Sequence, residues 1–213
     1  MKKTLFFAAI ALAVSTVAST ALAYSIDYGT GPALGSIVYD FESNTVGALS
    51  GSYTLGSLGT ITSTTNSIIS KSSDGDGAEP AGDISNYLSV KGGGATTIKL
   101  SNPNDYSFGL LWGSMDTYNT IKFTFIDGAA PISFTGTDVA SSHAANGNQY
   151  SATQNKYVDF IFSNAIDTVT FLSTSNSFEI DNISVAPVPE PATMILFGTG
   201  IAGLAGIARR KRS

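Results

Sequence analysis

Apolar positions alternate with polar ones over short stretches for most of the chain. Ile37, Tyr39 and Phe41 share one parity, and Ile121, Phe123 and Phe125 alternate with Lys122 and Thr124. A period of two is the signature of a strand with one face buried. Further runs of this kind are NYLSVK, ATTIKL, YSFGLLW, KYVDFIF, DTVTFLS and SFEIDNISV. Turn-forming residues separate them: Asn102-Pro103-Asn104-Asp105, Asp127-Gly128 and Asn146-Gly147-Asn148. About ten short strands at this spacing predict an all-β antiparallel sandwich or jelly roll. Gly92-Gly93-Gly94 reads either as a linker between two domains or as a hairpin turn joining Tyr87–Lys91 to Ala95–Leu100; the hairpin is favoured. In the last run the apolar phase slips at Asp181-Asn182, which predicts a β-bulge there.

The two ends break the pattern. At the start, Lys2 and Lys3 precede an apolar core from Leu5 to Val14, and small residues end at Ala21-Leu22-Ala23. This is the form of a secretory signal peptide, too short to span a bilayer stably. Cleavage by signal peptidase after Ala23 gives residues 1–23 as leader, with Ala21 and Ala23 as the small residues of the site. The mature chain then starts at Tyr24. At the other end, residues 192–208 carry no charge and Arg209, Arg210, Lys211 and Arg212 follow at once. Seventeen residues make a helix of about 25 Å, enough for a thin hydrocarbon core. The basic cluster holds the cytoplasmic side. Gly198-Thr-Gly200-Ile-Ala-Gly203 matches a dinucleotide-binding spacing but lacks the strand that must precede it.

Between Val188 and that helix lies Pro189-Glu190-Pro191, which holds its neighbours extended. Pro-Glu-Pro, one apolar helix and an Arg-rich end, in that order over residues 188–213, resemble the PEP-CTERM sorting signal. The resemblance implies recognition of Pro189, Glu190 and Pro191 by exosortase, a membrane cysteine protease, with Arg209 to Arg212 as cytoplasmic flank. It further implies transient inner-membrane anchoring, then a cell-surface or extracellular product in a bacterium that makes exopolysaccharide. FGLLWGSMDTYNT, FTGTDV, YVDF and SFEIDNI also resemble a group of exosortase-dependent surface proteins, across roughly Asn86 to Val185. That group implies location and fold but no activity.

The remaining segment, residues 24–187, is one domain in length. It has five lysines, no arginine and fifteen carboxylates, a net charge of −10 that the basic ends conceal in the whole-chain value of −5. Such a surface argues against nucleic acid as a partner. The chain has no cysteine and one histidine, His143. Thiol nucleophiles and multi-histidine zinc sites are therefore excluded, and a non-enzymatic protein is expected, with a hydrolase as the third reading.

Hard-cation chemistry has two candidate places. Asp74 and Asp76 flank Gly75 in an oxygen-rich loop. Asp40 and Glu42 close the first run, while Asp181 sits at the predicted bulge in the last. The chain loosely resembles galactose-binding-like jelly rolls, whose first and last strands often share a structural calcium; that resemblance implies Ca²⁺ at Asp40, Glu42 and Asp181. Solvated carboxylates are the alternative at both places. For sugar, Trp112 either stacks on a ring or fills the core beside Leu110, with Asp116 and Asn119 able to bond hydroxyls. The expected function is structural or adhesive within an exopolysaccharide matrix, and the alternative is a carbohydrate-binding module for that polysaccharide.

Overall fold

A computed structural model describes residues 22–187 apart from 65, 76 and 141–144. The chain runs through β1 (Tyr24–Gly29), β2 (Ile37–Tyr39), β3 (Gly47–Ala48), β4 (Gly51–Leu55), β5 (Gly59–Ser63), β6 (Ser67–Ser70) and β7 (Tyr87–Val90). It continues through β8 (Ala95–Leu100), β9 (Asp105–Gly113), β10 (Asn119–Phe125), β11 (Ile132–Thr135), a single helical turn α1 (Gly136–Ala140), β12 (Lys156–Phe162), β13 (Ile166–Ser173) and β14 (Phe178–Pro187). The large sheet has the order β1-β12-β9-β14-β7-β6-β3, with β2 also on β14; the small sheet has the order β11-β10-β13-β8-β5-β4. All pairings given by register are antiparallel.

Alternation sorts the side chains. In the small sheet Ile61, Ile98, Val169 and Phe123 form one cross-strand row and are all 0–1% exposed. In the large sheet Trp112, Ile180, Leu88 and Ile69 form the matching row. The two inner faces meet in one apolar core. Phe123 stands between the sheets, 5.0 Å from Phe160 and 6.2 Å from Phe108 by ring centroids. Each such ring contributes roughly 1.5–3 kcal/mol by leaving water.

Two expectations change. Among the described residues fourteen strands are present where about ten were expected, because β1 and β3–β6 lie in Ser-, Thr- and Gly-rich sequence with few apolar markers. The hairpin at Gly92–Gly94 does not form. β7 belongs to the large sheet and β8 to the small one, so the glycines carry the chain across the sandwich. Gly93 takes φ +76 in that turn, where glycine carries no Cβ penalty.

The predicted bulge is present. The β9–β14 register shifts between Asp181 and Ser184, and Asn182 takes φ +50. β2 joins β14 there, with Tyr39 opposite Ile183. Strands occupy the chain from Tyr24 to Pro187. No described helix is long and apolar enough to cross a membrane. Residues 192–208 and the leader through Ala21 lie outside the described residues, as do Asp76, His143, Pro189, Glu190, Pro191, Arg209, Arg210, Lys211 and Arg212.

Candidate functional site

The outer face of the large sheet carries the chemistry. One cross-strand row is Asp27, Asp159, Gly109 and Ser184; the next is Gly29, Tyr157, Leu111 and Asp181. Loops cover much of this face. The Ala33 amide donates to Asp159 Oδ2 at 2.9 Å, and the Ala78 amide donates to Glu179 Oε1 at 3.0 Å. Asp159 and Asp181 are fully buried, and Glu179 is 2% exposed.

A cleft of about 740 Å³ opens over the second row, and Tyr28, Asp83, Asn155, Lys156, Tyr157 and Asn182 are among its lining residues. Asn155 fixes its walls. The Asn155 amide group donates to the carbonyls of Asn148, Gln149 and Ser151 at 3.0–3.2 Å. Its Oδ1 accepts from the Ala81 and Ser114 amides at 3.0 and 2.9 Å. One buried side chain thus ties three loop segments together, so the cleft is built before any ligand arrives. Tyr28 keeps 37% of its surface exposed at the edge strand β1.

The bulge places Asp181 beside Asp83 at the end of this cleft. Burial, then the neighbouring Asp83 carboxylate, pushes the Asp181 carboxyl up to about 8. All four oxygens of the pair have partners. Ser85 Oγ reaches Asp181 Oδ2 at 2.8 Å and also contacts Asp83 Oδ1, to which the Ser85 amide donates at 2.9 Å. The Asn182 amide donates to Asp181 Oδ1 at 2.7 Å, and its side chain donates to Asp83 Oδ2 at 2.9 Å.

A second, smaller pocket of about 190 Å³ is lined by Asp74, Asp116, Tyr118 and Glu179. Burial pushes Glu179 up to about 7, against hydrogen bonds from Ser114, Ser177 and the Ala78 amide that favour its charge. Asp116 is also raised by burial, partly offset by Tyr118.

The predicted sites are rearranged. Trp112 is 0% exposed and stacks on Phe178 at 4.3 Å between centroids. Its ring has no free face, so sugar stacking does not hold for it and the core reading does. Asn119 is also fully buried; its amide donates to the Ser177 carbonyl at 3.1 Å and its Oδ1 accepts from Ser173 Oγ at 2.8 Å. It is a fastener of the β10 end, with nothing left for a hydroxyl. Asp40, Glu42 and Asp181 are not brought together as one group of carboxylates. Asp40 Oδ1 accepts from the Glu42 amide at 3.2 Å and Glu42 Oε1 accepts from the Asn86 amide at 2.5 Å. The carboxylate that meets Asp181 is Asp83, which sequence reasoning missed. Asp74 stands at a bridge to Gly77 and shares the small pocket with Asp116. Among the described residues no three His, Asp or Glu side chains group as a metal site. Tyr28, Tyr157 and Asp159 were also missed; YVDF carries Tyr157 and Asp159 in β12, where parity puts them on the outer face, whereas Tyr28 pairs with Val158 on the other parity and reaches the cleft from the edge strand.

Comparison with known proteins gives two findings. Residues 187–212 match the PEP-CTERM protein-sorting motif, which implies processing by an exosortase-type membrane protein. Among solved structures the chain is similar to CtCBM11, from work described as "Solution structure, dynamics and binding studies of CtCBM11". The identity is 13%, the TM-score is 0.22, and the likeness covers 82% of this chain and 100% of that one. No curated protein matches the chain.

Proposed function

We propose that this domain is a carbohydrate-binding module, delivered by its C-terminal signal to the cell surface or extracellular matrix to hold exopolysaccharide. The route is export, leader removal after Ala23, transient inner-membrane anchoring through 192–208, and processing near Pro189-Glu190-Pro191. The observation that carries the binding role is the preformed cleft on the outer face of the large sheet. Its volume of about 740 Å³ has room for sugar residues, and the partly exposed Tyr28 is among its lining residues. Its polar lining groups are of mixed kind: Asp83, Asn155, Asn182 and Lys156. Ligand sites of this size combine an apolar platform with a few placed hydrogen-bonding groups. Carbohydrate offers that pairing, ring faces and hydroxyls together.

The test is binding of the purified protein to a glycan panel and to the producing cell's own polysaccharide. Binding that Tyr28→Ala weakens while the melting temperature holds supports the module. Absence of binding across the panel removes it and leaves the structural or adhesive role, for which the cleft has no duty.

A further inference from the structure

The chain enters and leaves this domain at one end of the large sheet. β1 begins at Tyr24, opposite Phe162, and β14 ends at Pro187, opposite Asp105. The pairings run on as a row of Ser25, Ile161, Ser107 and Ala186 across β1, β12, β9 and β14. Three strand spacings, about 14 Å, separate the outer members of that row. The turns at 56–58, 101–104, 126–131 and 163–165 close the same end of the sandwich. Backbone bonds link them: the Ser101 amide donates to the Leu58 carbonyl at 3.0 Å, Ile126 to Ala165 at 3.0 Å, and Ser163 to Ala23 at 2.9 Å.

The cleft lies toward the other end. Gly29 and Tyr157 both line it, and they face each other five residues along the β1–β12 ladder from Tyr24 and Phe162. That is a rise of about 17 Å. Ala152 and Asn155, also in its lining, stand just before β12. The Met115 amide, just past β9, donates to the Gln154 carbonyl in the same loop at 2.9 Å. From Asp105 at the tail end to Gly113 at the cleft end, β9 runs for nine residues, about 30 Å.

The sorting signal starts where β14 stops. Its motif matches from residue 187, and only residues 188–191 separate the last strand pair from the uncharged run at 192–208. Four residues reach no further than about 14 Å, half the length of β9. Prolines at 187, 189 and 191 favour a stiff spacer over a free hinge. None of the four turns at the tail end carries Lys or Arg, so they offer no basic cluster to an anionic lipid surface. The short tether, rather than adsorption, then sets how the domain stands.

We infer that the anchored domain stands on the bilayer with the end bearing Tyr24, Asn104 and Pro187 toward lipid and the cleft end away from it, so that the cleft is open to a ligand before the tail is processed. This rests on the anchoring reading of 192–208 and not on what the cleft binds. Capture and processing occupy opposite ends of one sheet, and a filled cleft leaves the protease its approach to Pro189-Glu190-Pro191.

The test uses the exported full-length chain, tail intact, in liposomes that carry an acceptor dye on their headgroups. The chain has no cysteine, so each single replacement takes one donor dye. Ser57→Cys and Asn104→Cys report the tail end, and Ala81→Cys and Tyr150→Cys the cleft end; all four positions are exposed. With the ends roughly 30 Å apart, the tail-end pair is expected to give at least about twofold more energy transfer. Equal transfer from both pairs, or more from the cleft-end pair, in chains that resist carbonate extraction overturns this inference alone. Chains that carbonate strips from the liposomes overturn the anchoring reading together with it.

Discussion

The two sheets of the sandwich bury similar inner faces and present opposite outer ones. On the small sheet, Thr62, Thr97, Thr170 and Lys122 form the outer row. Its polar groups pair with one another along the sheet: Thr97 with Thr170 at 2.9 Å, Thr124 with Thr168 at 2.6 Å, and Lys99 with Asp167 at 2.9 Å. These side chains stay partly or fully open to water. On the large sheet the outer positions hold Asp159, Asp181, Glu179, Tyr157 and Tyr87, all buried beneath loops. Polar groups that satisfy each other in solvent need nothing further, and hydroxyl pairs of that kind contribute roughly 0.2–1 kcal/mol each. Buried carboxylates cost stability unless something meets them. The proposed binding cleft therefore lies on the face that carries a folding penalty.

The contrast can be broken at several points. Trp112→Ala is expected to have the largest effect, a loss of about 3–5 kcal/mol from a filled core, read by denaturant unfolding. It should not alter ligand affinity in whatever fraction remains folded, because Trp112 belongs to the inner face. Gly109→Ala comes next. Forcing a methyl against the side chains of Asp159, Ser184 and Tyr157 should cost about 1–3 kcal/mol, whereas Thr97→Ala on the small sheet should stay within about 0.5 kcal/mol. Equal costs would erase the distinction between the faces.

The pH response comes third. Asp181 is raised from 3.8 to about 8 and Glu179 from 4.5 to about 7, each first by burial. Both carboxyls bind a proton more tightly folded than unfolded. The stability they contribute is complete below their unfolded values and lost as pH rises through 7 and 8. The melting temperature should fall from pH 6 to pH 9, and Asp181→Asn should flatten the upper part of that fall. A melting temperature rising over this range would contradict the assigned burial. Smallest of all, Asp167→Asn should cost well under about 1 kcal/mol, since its partner Lys99 is 66% exposed at the side chain and the pair is screened.

Much of this was legible in the sequence, for identifiable reasons. Ile121, Phe123 and Phe125 alternate cleanly because β10 has one wet and one dry face, and the slip at Asp181-Asn182 marked the bulge. The tail was readable because three elements fall in order within residues 188–213. Other features were hidden. The sheet-switching turn at Gly92–Gly94 looks like a hairpin because local sequence does not record which strand becomes a partner. Trp112 could be placed on either face because Leu110 and Leu111 directly precede it and the run YSFGLLW has no clean period. The carboxyl pair needed Asp83, ninety-eight positions from Asp181 in sequence, and no short-range signal joins them. The close packing of Asp159, Ser184 and Tyr157 over Gly109 depends on a missing side chain between two strands, which alternation treats as a neutral position.

The most direct test of the central claim is a hydrogen–deuterium exchange footprint of the full-length protein with and without the producing cell's exopolysaccharide. The account predicts protection confined to the cleft side: residues 28–30, 81–83, 155–157 and the bulge at Asn182. Exchange along the strands that carry the small sheet's outer face, through Thr62, Thr97 and Thr170, should not change. Protection centred on the small sheet, or no protection at saturating polysaccharide, would contradict the assignment of binding to the buried polar face.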